Sequence, residues 1–394
     1  MSQTVTSNWE TTHLGVLINP ASSGGKAKKL WPKISKALKK DFPKMSYYFT
    51  ECIGDGMTKC KKLLGEGCDT ILVISGDGVI NEASNEIVKS QKKVALAVIP
   101  LGTGSDFSKV VYQGKQKELK IQDFVNVIKK GSTRMYDVGK TKYYPTKDMD
   151  YREERYFVNI ASVGMSALIS AKVNKSSKKL GFLSYSWSCF ETSVAYNFPP
   201  FTWTAFDKEQ IDFDEEAKKG KKKEQEEQEQ EQEQEKEKEK EKQKEETIKY
   251  SDQLGEPWRL QNRYRKSQPE TQKCAFFAMG IGRYFGGGMK VCPNSIVDDG
   301  LLDCLVMPSA GLIGTAELLL KVRSGAHLKV KGTHYWRAKG IKFGLPDSIW
   351  KLSEKKRKKE LENYRIELEG EAVGFLPAKF QVVKNILRVI VSDN

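Results

Sequence analysis

The stretch Ile71-Leu72-Val73-Ile74-Ser75-Gly76-Asp77-Gly78-Val79-Ile80-Asn81-Glu82 joins an apolar run to a glycine-rich turn. A similar pair follows about one helix later, where Val94 to Pro100 leads into Leu101-Gly102-Thr103-Gly104-Ser105-Asp106-Phe107. Glycines let a backbone approach a phosphate closely, and the N–H groups at a helix start favour an anion. An acidic residue is unusual in a loop that only holds anions, but Asp77 makes sense beside a divalent cation or a hydroxyl proton. The two loops therefore predict a nucleotide phosphate site.

Two common phosphate-binding motifs are excluded. Ser22-Ser23-Gly24-Gly25-Lys26-Ala27 looks like the end of a Walker A loop, but that motif needs Ser or Thr after the lysine, and Ala27 has no hydroxyl for magnesium. A dinucleotide-binding fingerprint would need G-x-G-x-x-G opening a helix near the chain start, and no such run occurs there.

Alternating strands and helices are predicted for the first third of the chain. Apolar runs such as Leu14 to Ile18 indicate buried strands, and Leu30, Ile34 and Leu38 lie at helical spacing within a predicted helix from Lys28 to Phe42. This alternation is typical of a mostly parallel sheet with helices on both faces. Ligands of such sheets bind beyond the carboxyl ends of the strands, where both glycine loops fall.

From about Arg134 onward, period-two patterns predict a second, β-rich domain, with Tyr156 to Ile160 among its strands. Two inserts interrupt it. The insert 214–247 is almost entirely Glu, Gln and Lys, so we expect disorder or a lone solvated helix without a catalytic role. The insert 351–363 contains Lys355-Lys356-Arg357-Lys358-Lys359, for which we favour a solvated loop, with attachment to an anionic membrane surface as the functional alternative.

The composition limits the partners. The 394 residues carry a formal net charge of +15, which attracts nucleotide phosphates, anionic lipid or nucleic acid. Because aromatic residues are not interleaved with the basic runs, no nucleic-acid partner is expected. The start lacks a secretory signal, no run of about 18 apolar residues predicts a membrane span, and the seven cysteines form no C-x-x-C pair. These features indicate a cytoplasmic protein, peripheral to the membrane at most, and a homodimer is left open.

Four motifs in order resemble the lipid kinases that share the diacylglycerol kinase catalytic domain, which include sphingosine and ceramide kinases. The first two are the glycine loops, which are similar to the family's G-G-D-G-T and G-T-x-N-D. The third is a glycine-rich turn followed by Asp298-Asp299-Gly300-Leu301, and the fourth is Glu369-Gly370-Glu371, which is similar to D-G-E. The glycine-rich turn is Gly282-Arg283-Tyr284-Phe285-Gly286-Gly287-Gly288-Met289-Lys290-Val291-Cys292-Pro293.

The resemblance implies an α/β fold in which a phosphofructokinase-like nucleotide domain is followed by a β-sandwich domain, with the active site in the cleft between them. The expected limits are 1–134 for the ATP-binding domain, completed by the final strands at about 376–394, and 135–375 for the lipid-binding domain. The soluble bacterial members of the family are the closest pattern.

The resemblance also implies the site residues, with ATP and Mg²⁺ as cofactors and a lipid as substrate. Glu371 is expected to be the general base, and Asp77 is the second expected catalytic residue. The residues expected to hold ATP are Asn19, Thr50, Ser75, Gly76, Asp77, Gly78, Val79, Ile80, Asn81 and Thr103. Magnesium is expected at Asp299 with the backbone carbonyls of Ile296 and Leu301.

Some of these assignments keep a structural alternative. Thr50 could merely end a strand. For Asp106 we favour the role of helix N-cap over a role in the site. Asp137 either holds a metal-bound water or is a buried turn carboxylate.

The chain departs from the family pattern at four positions: Ser75, Val79, Ser105 and Glu369. Since Asp77, Asp299 and Glu371 are all present, we expect an active kinase that phosphorylates a primary lipid hydroxyl, with diacylglycerol favoured as acceptor. The alternatives are a sphingoid-base or ceramide kinase, an NAD kinase-like enzyme and an inactive lipid-binding protein.

Overall fold

The computed structural model describes residues 12–102, 104–175, 192, 196, 198–210, 270–308 and 311–392. Two sequence predictions, Thr103 as an ATP-binding residue and disorder of the insert 214–247, lie outside these ranges. The strands are β1 (Leu14–Ile18), β2 (Met45–Phe49), β3 (Thr70–Ser75), β4 (Ala95–Pro100), β5 (Thr133–Tyr144), β6 (Glu153–Phe157), β7 (Ile160–Gly164), β8 (Pro200–Gln210), β9 (Glu270–Gly280), β10 (Leu302–Pro308), β11 (His334–Gly344), β12 (Arg365–Leu368) and β13 (Glu371–Ile390).

Within the described ranges, most helices lie in the first half of the chain. They are α1 (Ser22–Asp41), α2 (Asp55–Gly65), α3 (Asp77–Ser90), α4 (Asp106–Val111), α5 (Ile121–Lys130), α6 (Met165–Lys175), α7 (Gly311–Val322), α8 (Asp347–Trp350) and α9 (Glu354–Glu360), with 3₁₀ turns at Lys115–Lys117, Ala326–Lys329 and Leu361–Tyr364. Among the described residues, none of these helices is both long and apolar enough to cross a membrane.

The first half is the predicted parallel α/β layer. Strands β2, β1, β3 and β4 lie side by side in that order, and each neighbouring pair is parallel. Their carboxyl ends therefore share one edge, where the loops after β3 and β4 meet. Strands β1, β3 and β4 are almost fully buried because α1, α2, α3 and α5 cover the two faces with apolar side chains, whereas β2 at the sheet edge is only partly buried.

The second half is an antiparallel β structure that closes on itself. Strand β9 pairs with β8 and β10, and β11 pairs with both of those strands, so the four form a ring. A second apolar core fills it, with Trp203, Phe277 and Phe343 among its fully buried side chains. The α/β fold with a C-terminal β-sandwich is confirmed.

Strand β13 joins the two halves. It begins at Glu371, pairs with β12, β11 and β5 along its length, and ends parallel to β4 through Arg388 and Val389. The return of the last residues to the first domain follows the sequence expectation. The domain limits at 134 and 375 remain a prediction, because one continuous sheet crosses both.

Local differences from the predicted elements have physical reasons. The strand predicted from Tyr156 to Ile160 is broken after Phe157, because the backbone N–H groups of Val158 and Asn159 bind a carboxylate instead of a strand neighbour. The solvated loop favoured for the basic insert is wrong as well. Residues Glu354–Glu360 form helix α9, which an ion pair between Glu354 and Lys358 supports at helical spacing.

Candidate active site

The two glycine loops touch each other backbone to backbone. The Leu101 N–H donates to the Ser75 carbonyl at 3.0 Å. A Cβ atom on Gly102 would lie 2.3 Å from the Gly76 Cα, so this contact needs a glycine. The pairing places both loops at the carboxyl edge of the sheet, as predicted from the sequence.

The N-terminus of α3 is free to bind an anion. Gly76 is its N-cap, and no side chain caps the helix, so the first-turn N–H groups are not occupied by a capping group. A Cβ on Gly78 would meet nothing within 4 Å, so the space in front of this turn is open. The residues therefore fit a phosphate group.

Asp77 ties the first loop to the second. Its Oδ1 accepts a hydrogen bond from the Phe107 N–H at 3.0 Å, so a side chain of the first loop satisfies a donor in the first turn of α4. Burial, together with the nearby Asp106 carboxylate, raises the pKa of Asp77 to about 6.

The N-cap role favoured for Asp106 is wrong. Asp106 is the first residue of α4, and Ser105, with a left-handed backbone, occupies the cap position. The Asp106 Oδ2 accepts instead from the Gly287 N–H at 2.8 Å, and its Oδ1 pairs with Lys109 at 2.5 Å. Asp106 therefore links the nucleotide loops to the glycine-rich turn of the second half.

The remaining residues predicted to hold ATP lie around the same edge. Asn19 follows β1, where its side-chain oxygen accepts from the Ala21 N–H at 3.0 Å. Thr50 is buried after β2, and its N–H donates to the Ile18 carbonyl at 2.8 Å. Ile80 is fully buried in the core, and the Asn81 amide donates to the Tyr156 carbonyl at 3.1 Å. The side chains of Ile80 and Asn81 thus hold α3 in place, and only their backbone could meet a ligand.

Glu371 begins β13 directly after a tight hairpin. Glu369 and Gly370 form the two-residue turn between β12 and β13, and both have positive φ, at 54° and 87°. The Glu369 side chain accepts from the backbone N–H groups of Val158 at 2.8 Å and Asn159 at 2.7 Å. Both N–H donors directly follow β6, where the Tyr156 carbonyl accepts from Asn81 of α3 at 3.1 Å, so the hairpin lies beside α3. Burial raises the pKa of Glu369 well above its usual value, and the Asp77 carboxylate raises it further.

A second buried carboxylate holds the hairpin from the other side. Glu367 is fully buried, and its two oxygens accept from the Gly370 N–H and the Ser162 hydroxyl. Ser162 is in turn 2.8 Å from the Ser166 hydroxyl. Burial raises the pKa of Glu367 to about 7, with a contribution from Glu371.

Glu371 itself is partly exposed and ion-paired. The Arg155 guanidinium on β6 donates to its Oε2 at 3.1 Å. Burial raises the pKa of Glu82 on α3, and the Glu371 charge adds to that shift. The Glu82 Oε1 accepts from the Gly54 N–H at 3.0 Å, which ties the loop before α2 to the same place. We call Asp77, Glu82, Glu369 and Glu371 the hairpin cluster.

Asp299 lies in a different acidic group, the turn cluster, which consists of Asp137, Asp298, Asp299 and Asp303. The Asp299 Oδ1 accepts from the Leu301 N–H at 2.9 Å, and its Oδ2 lies 3.8 Å from Arg337. Asp298 makes a two-bond pair with Arg134 at 2.7 and 2.8 Å. Asp303 is fully buried and accepts from the Tyr335 hydroxyl at 2.5 Å.

Asp137 has the role of a turn carboxylate. Its Oδ2 accepts from the Gly300 N–H at 2.6 Å and its Oδ1 from the Asn385 N–H at 2.8 Å. Asp137 thus joins the turn that carries Asp299 to strand β13.

The turn cluster fits a magnesium ion in its donor chemistry. Burial raises the pKa of Asp299 to about 6, and the Asp303 and Asp137 carboxylates add to the shift, so a cation there would relieve repulsion. The described residues contain no group of three His, Cys, Asp and Glu side chains arranged for a metal. Magnesium does not need one, because it binds through one or two carboxylates and keeps several waters. Ile296 and Leu301 flank Asp299 and could supply carbonyls.

Sequence reasoning missed three residues of the hairpin region: Glu82, Arg155 and Glu367. The alternation Glu367-Leu368-Glu369-Gly370-Glu371 was a usable signal, because repeated charges in a predicted strand are costly unless each one is bonded. Arg155 gave no such signal, since its partner is 216 residues away.

Two protein families each match a part of this chain. The diacylglycerol kinase catalytic domain matches residues 13–141, and the YegS C-terminal NAD kinase beta sandwich-like domain matches residues 265–391. These two matches fall on the α/β half and on the closed β structure.

Relatives and solved structures of similar sequence length also match. A diacylglycerol kinase of Staphylococcus saprophyticus is 22% identical over 380 residues, covering 96% of this chain and 95% of that protein. One of Staphylococcus aureus strain MRSA252 is 22% identical over 366 residues, covering 93% and 88%. A crystal structure of a diacylglycerol kinase from Bacillus anthracis shares the fold with a TM-score of 0.58 and 19% identity, covering 96% of both chains.

Proposed function

Since the chain belongs to the diacylglycerol kinase catalytic domain family of lipid kinases, with a YegS-type C-terminal domain, we propose that it transfers the γ-phosphate of ATP to the primary hydroxyl of diacylglycerol. The product would be phosphatidic acid. The names of the relatives support this acceptor, and the hydroxyl chemistry is the same for other lipid alcohols.

One observation carries the proposal: Arg155 pairs with Glu371 at 3.1 Å, and the carbonyl of the next residue, Tyr156, accepts a hydrogen bond from Asn81 of α3 at 3.1 Å. The Glu371 carboxylate is thus held beside the helix whose N-terminus is uncapped. Phosphoryl transfer needs donors for the phosphate oxygens and a base for the attacking hydroxyl, with little covalent work by the protein. Those two requirements are met by the α3 N–H groups and by Glu371.

In this proposal the phosphates of ATP lie against the first turn of α3, with Asn19, Thr50 and Ser75 around them, and Thr103 is a further ATP-binding residue that the family resemblance implies. Glu371 takes the proton from the lipid hydroxyl as its oxygen attacks the γ-phosphorus and the bond to the β-phosphate oxygen breaks. Arg155 holds the Glu371 carboxylate at a fixed position through the bond at 3.1 Å. Glu367 and Glu369 fix the turn in front of it.

Magnesium is part of the proposal in two places. When bound with ATP it would neutralise phosphate charge near Asp77. At the turn cluster, Asp299 with the carbonyls of Ile296 and Leu301 would hold an ion that stabilises the turn next to Asp137. That second position has a structural role here, because its residues bond to β13 and to Arg337 rather than to the hairpin cluster.

The acyl chains of the acceptor are assigned to the β-rich half, beside β7 and α6. A separate apolar cluster lies there, formed by Met165, Ile169, Tyr196 and Ala275 with Leu168 and Phe198 packed against it. Because this substrate resides in membranes, the protein would work at an anionic membrane surface, attached peripherally.

The test is incubation with radiolabelled ATP and mixed micelles that contain one lipid at a time: diacylglycerol, monoacylglycerol, ceramide, sphingosine or phosphatidylglycerol. We expect labelled phosphatidic acid as the main product. If sphingosine or ceramide were labelled preferentially, that lipid would replace diacylglycerol as the proposed acceptor. A parallel incubation contains NAD in place of lipid, and labelling of NAD with no labelling of any lipid would refute a lipid acceptor.

A further inference from the structure

Helix α9 and the residues before it form a projecting basic surface. Between 350 and 360 the chain has six basic and two acidic side chains. No residue of α9 is buried, so the helix contributes nothing to either core. We define the basic surface as Trp350, Lys355, Lys356, Arg357 and Lys359.

Three lysines of this surface have their charge available for an external partner. Of the acidic residues nearby, Glu354 and Asp148 are both paired with Lys358, and Glu360 accepts a hydrogen bond from the Asn363 amide. Lys355, Lys356 and Lys359 are exposed, and their ammonium groups form no ion pair within the described part of the chain. Positive charge is therefore in excess on this surface and faces solvent.

An exposed aromatic ring accompanies these charges. Trp350 is 40% exposed, and the Arg357 guanidinium lies 5.9 Å from its ring centroid. Tryptophan is enriched where a membrane meets water, because its ring is apolar and its N–H is polar. A tryptophan next to unpaired lysines suits an anionic lipid surface better than a nucleic acid, which would need several stacking rings.

The surface is held rigidly and lies close to the hairpin cluster. Ile349 before it and Leu361 and Tyr364 after it are buried in the second core. The Tyr196 hydroxyl donates to the Asn363 carbonyl at 3.0 Å, which joins the surface to the apolar cluster beside α6. The 3₁₀ turn Leu361–Tyr364 follows the basic surface along the chain. Only the four-residue strand β12, about 13 Å long, lies between that turn and the Glu369-Gly370 turn.

We propose that this basic surface docks the protein on anionic membranes and so brings the acceptor site to its lipid. The inference rests on the proposed lipid substrate, but docking can be measured without catalysis. Each lysine near an anionic bilayer contributes roughly a fivefold factor to partitioning, so the three together contribute about 100-fold. The attraction weakens as salt rises.

The test is cosedimentation of the full chain with vesicles made of one part phosphatidylglycerol and two parts phosphatidylcholine. The triple variant K355Q/K356Q/K359Q should partition about 100-fold more weakly than wild type, and W350A more weakly by a smaller factor. The matched control is K36Q/K39Q/K40Q on the exposed face of α1, which removes the same charge and should leave partitioning within about twofold of wild type. Equal binding of the triple variant and wild type, or an equal loss in the control, would overturn the docking surface.

A second measurement separates docking from catalysis. Wild type and the triple variant should phosphorylate a short-chain, dispersed diacylglycerol at the same rate. With long-chain diacylglycerol in anionic vesicles, the triple variant should be slower than wild type. If no variant phosphorylates any lipid, the proposed function fails, and the vesicle partitioning alone still decides the docking surface.

Discussion

The hairpin cluster and the turn cluster contain the same number of carboxylates but balance their charge differently. In the turn cluster, Arg134 and Arg337 face the carboxylates, and Asp137 accepts two backbone N–H groups. In the hairpin cluster Arg155 pairs with Glu371, while Asp77, Glu82 and Glu369 form no ion pair among the described residues. Three carboxyl groups of the hairpin cluster thus lack a cationic side chain as partner within the described residues.

We interpret this difference as a division of roles between the two groups. A carboxylate that pairs with arginine or accepts backbone N–H groups stabilises a turn, whereas carboxyl groups without a cationic partner favour an external cation or a proton. The hairpin cluster also adjoins the free N-terminus of α3 and the open space before Gly78. We therefore assign catalysis to the hairpin cluster and structural support to the turn cluster, and four predictions test that division.

Replacement of Glu371 by glutamine should have the largest effect. The variant keeps the size of the side chain and an acceptor for Arg155 but cannot take a proton, so kcat should fall by roughly 10²- to 10⁴-fold. ATP binding measured by calorimetry should stay within about twofold of wild type. The control is Glu154→Gln, which removes an exposed carboxylate from the same strand as Arg155. Near-normal turnover of the Glu371 variant would refute its role as base.

Replacement of Glu367 by glutamine should change how stability depends on pH. The folded-state pKa is raised from 4.5 to about 7, so the folded form holds the proton more tightly than the unfolded form. The associated stability is present below about pH 4.5 and is lost as pH rises to about 7; the shift corresponds to about 3 kcal/mol.

Urea unfolding between pH 4.5 and 8 measures this effect. Wild type should lose more of its free energy of unfolding over that interval than Glu367→Gln, which does not titrate at this position. Asp77 and Asp299 are present in both proteins, so their contributions cancel in the difference. Parallel pH profiles would show that folding does not raise the pKa of Glu367.

Asp299→Asn should abolish the stabilisation that magnesium gives in the absence of ATP. If the turn cluster binds the ion in the folded state, magnesium at about 100 times its Kd stabilises wild type by about 2.7 kcal/mol. Thermal unfolding without ATP should show this rise for wild type and for the control Asp77→Asn, but not for Asp299→Asn. An equal rise in all three proteins would place the ion elsewhere.

Val79→Thr should have the smallest effect. Threonine has nearly the shape of valine and restores the hydroxyl of the family loop, and one hydrogen bond to a phosphate would lower the KM for ATP by roughly two- to tenfold. The KM for the lipid should not change. A raised KM for ATP would indicate that the hydroxyl is buried without a partner.

Much of the fold was predictable because its signals are local. Apolar runs followed by glycines placed β3, β4 and both loops, and the contact between Gly76 and Gly102 follows from parallel strands ending at one edge. Glu371 and Asp299 were found through their motifs, but the sequence did not indicate that they belong to separate groups. The roles proposed for the site residues remain predictions.

The residues that sequence reasoning missed or misassigned either bond to partners far away along the chain or lie in charged segments without an apolar pattern. Asp106 lies 181 residues from Gly287, so its local context favoured a cap. The buried position of Glu367 depends on a hairpin turn in which Glu369 adopts positive φ, which is uncommon for a glutamate. Helix α9 has no apolar face, and its ion pairs with Asp148 and Glu354 were needed to distinguish it from a loop.

A crystal structure with a non-hydrolysable ATP analogue and Mn²⁺ tests the division most directly, because anomalous scattering locates each metal ion. The account predicts the γ-phosphate against the first turn of α3, facing Glu371, with one ion next to Asp77 and a nucleotide-independent ion at Asp299. Triphosphate bound at the turn cluster, or at any place remote from Glu371, would contradict it.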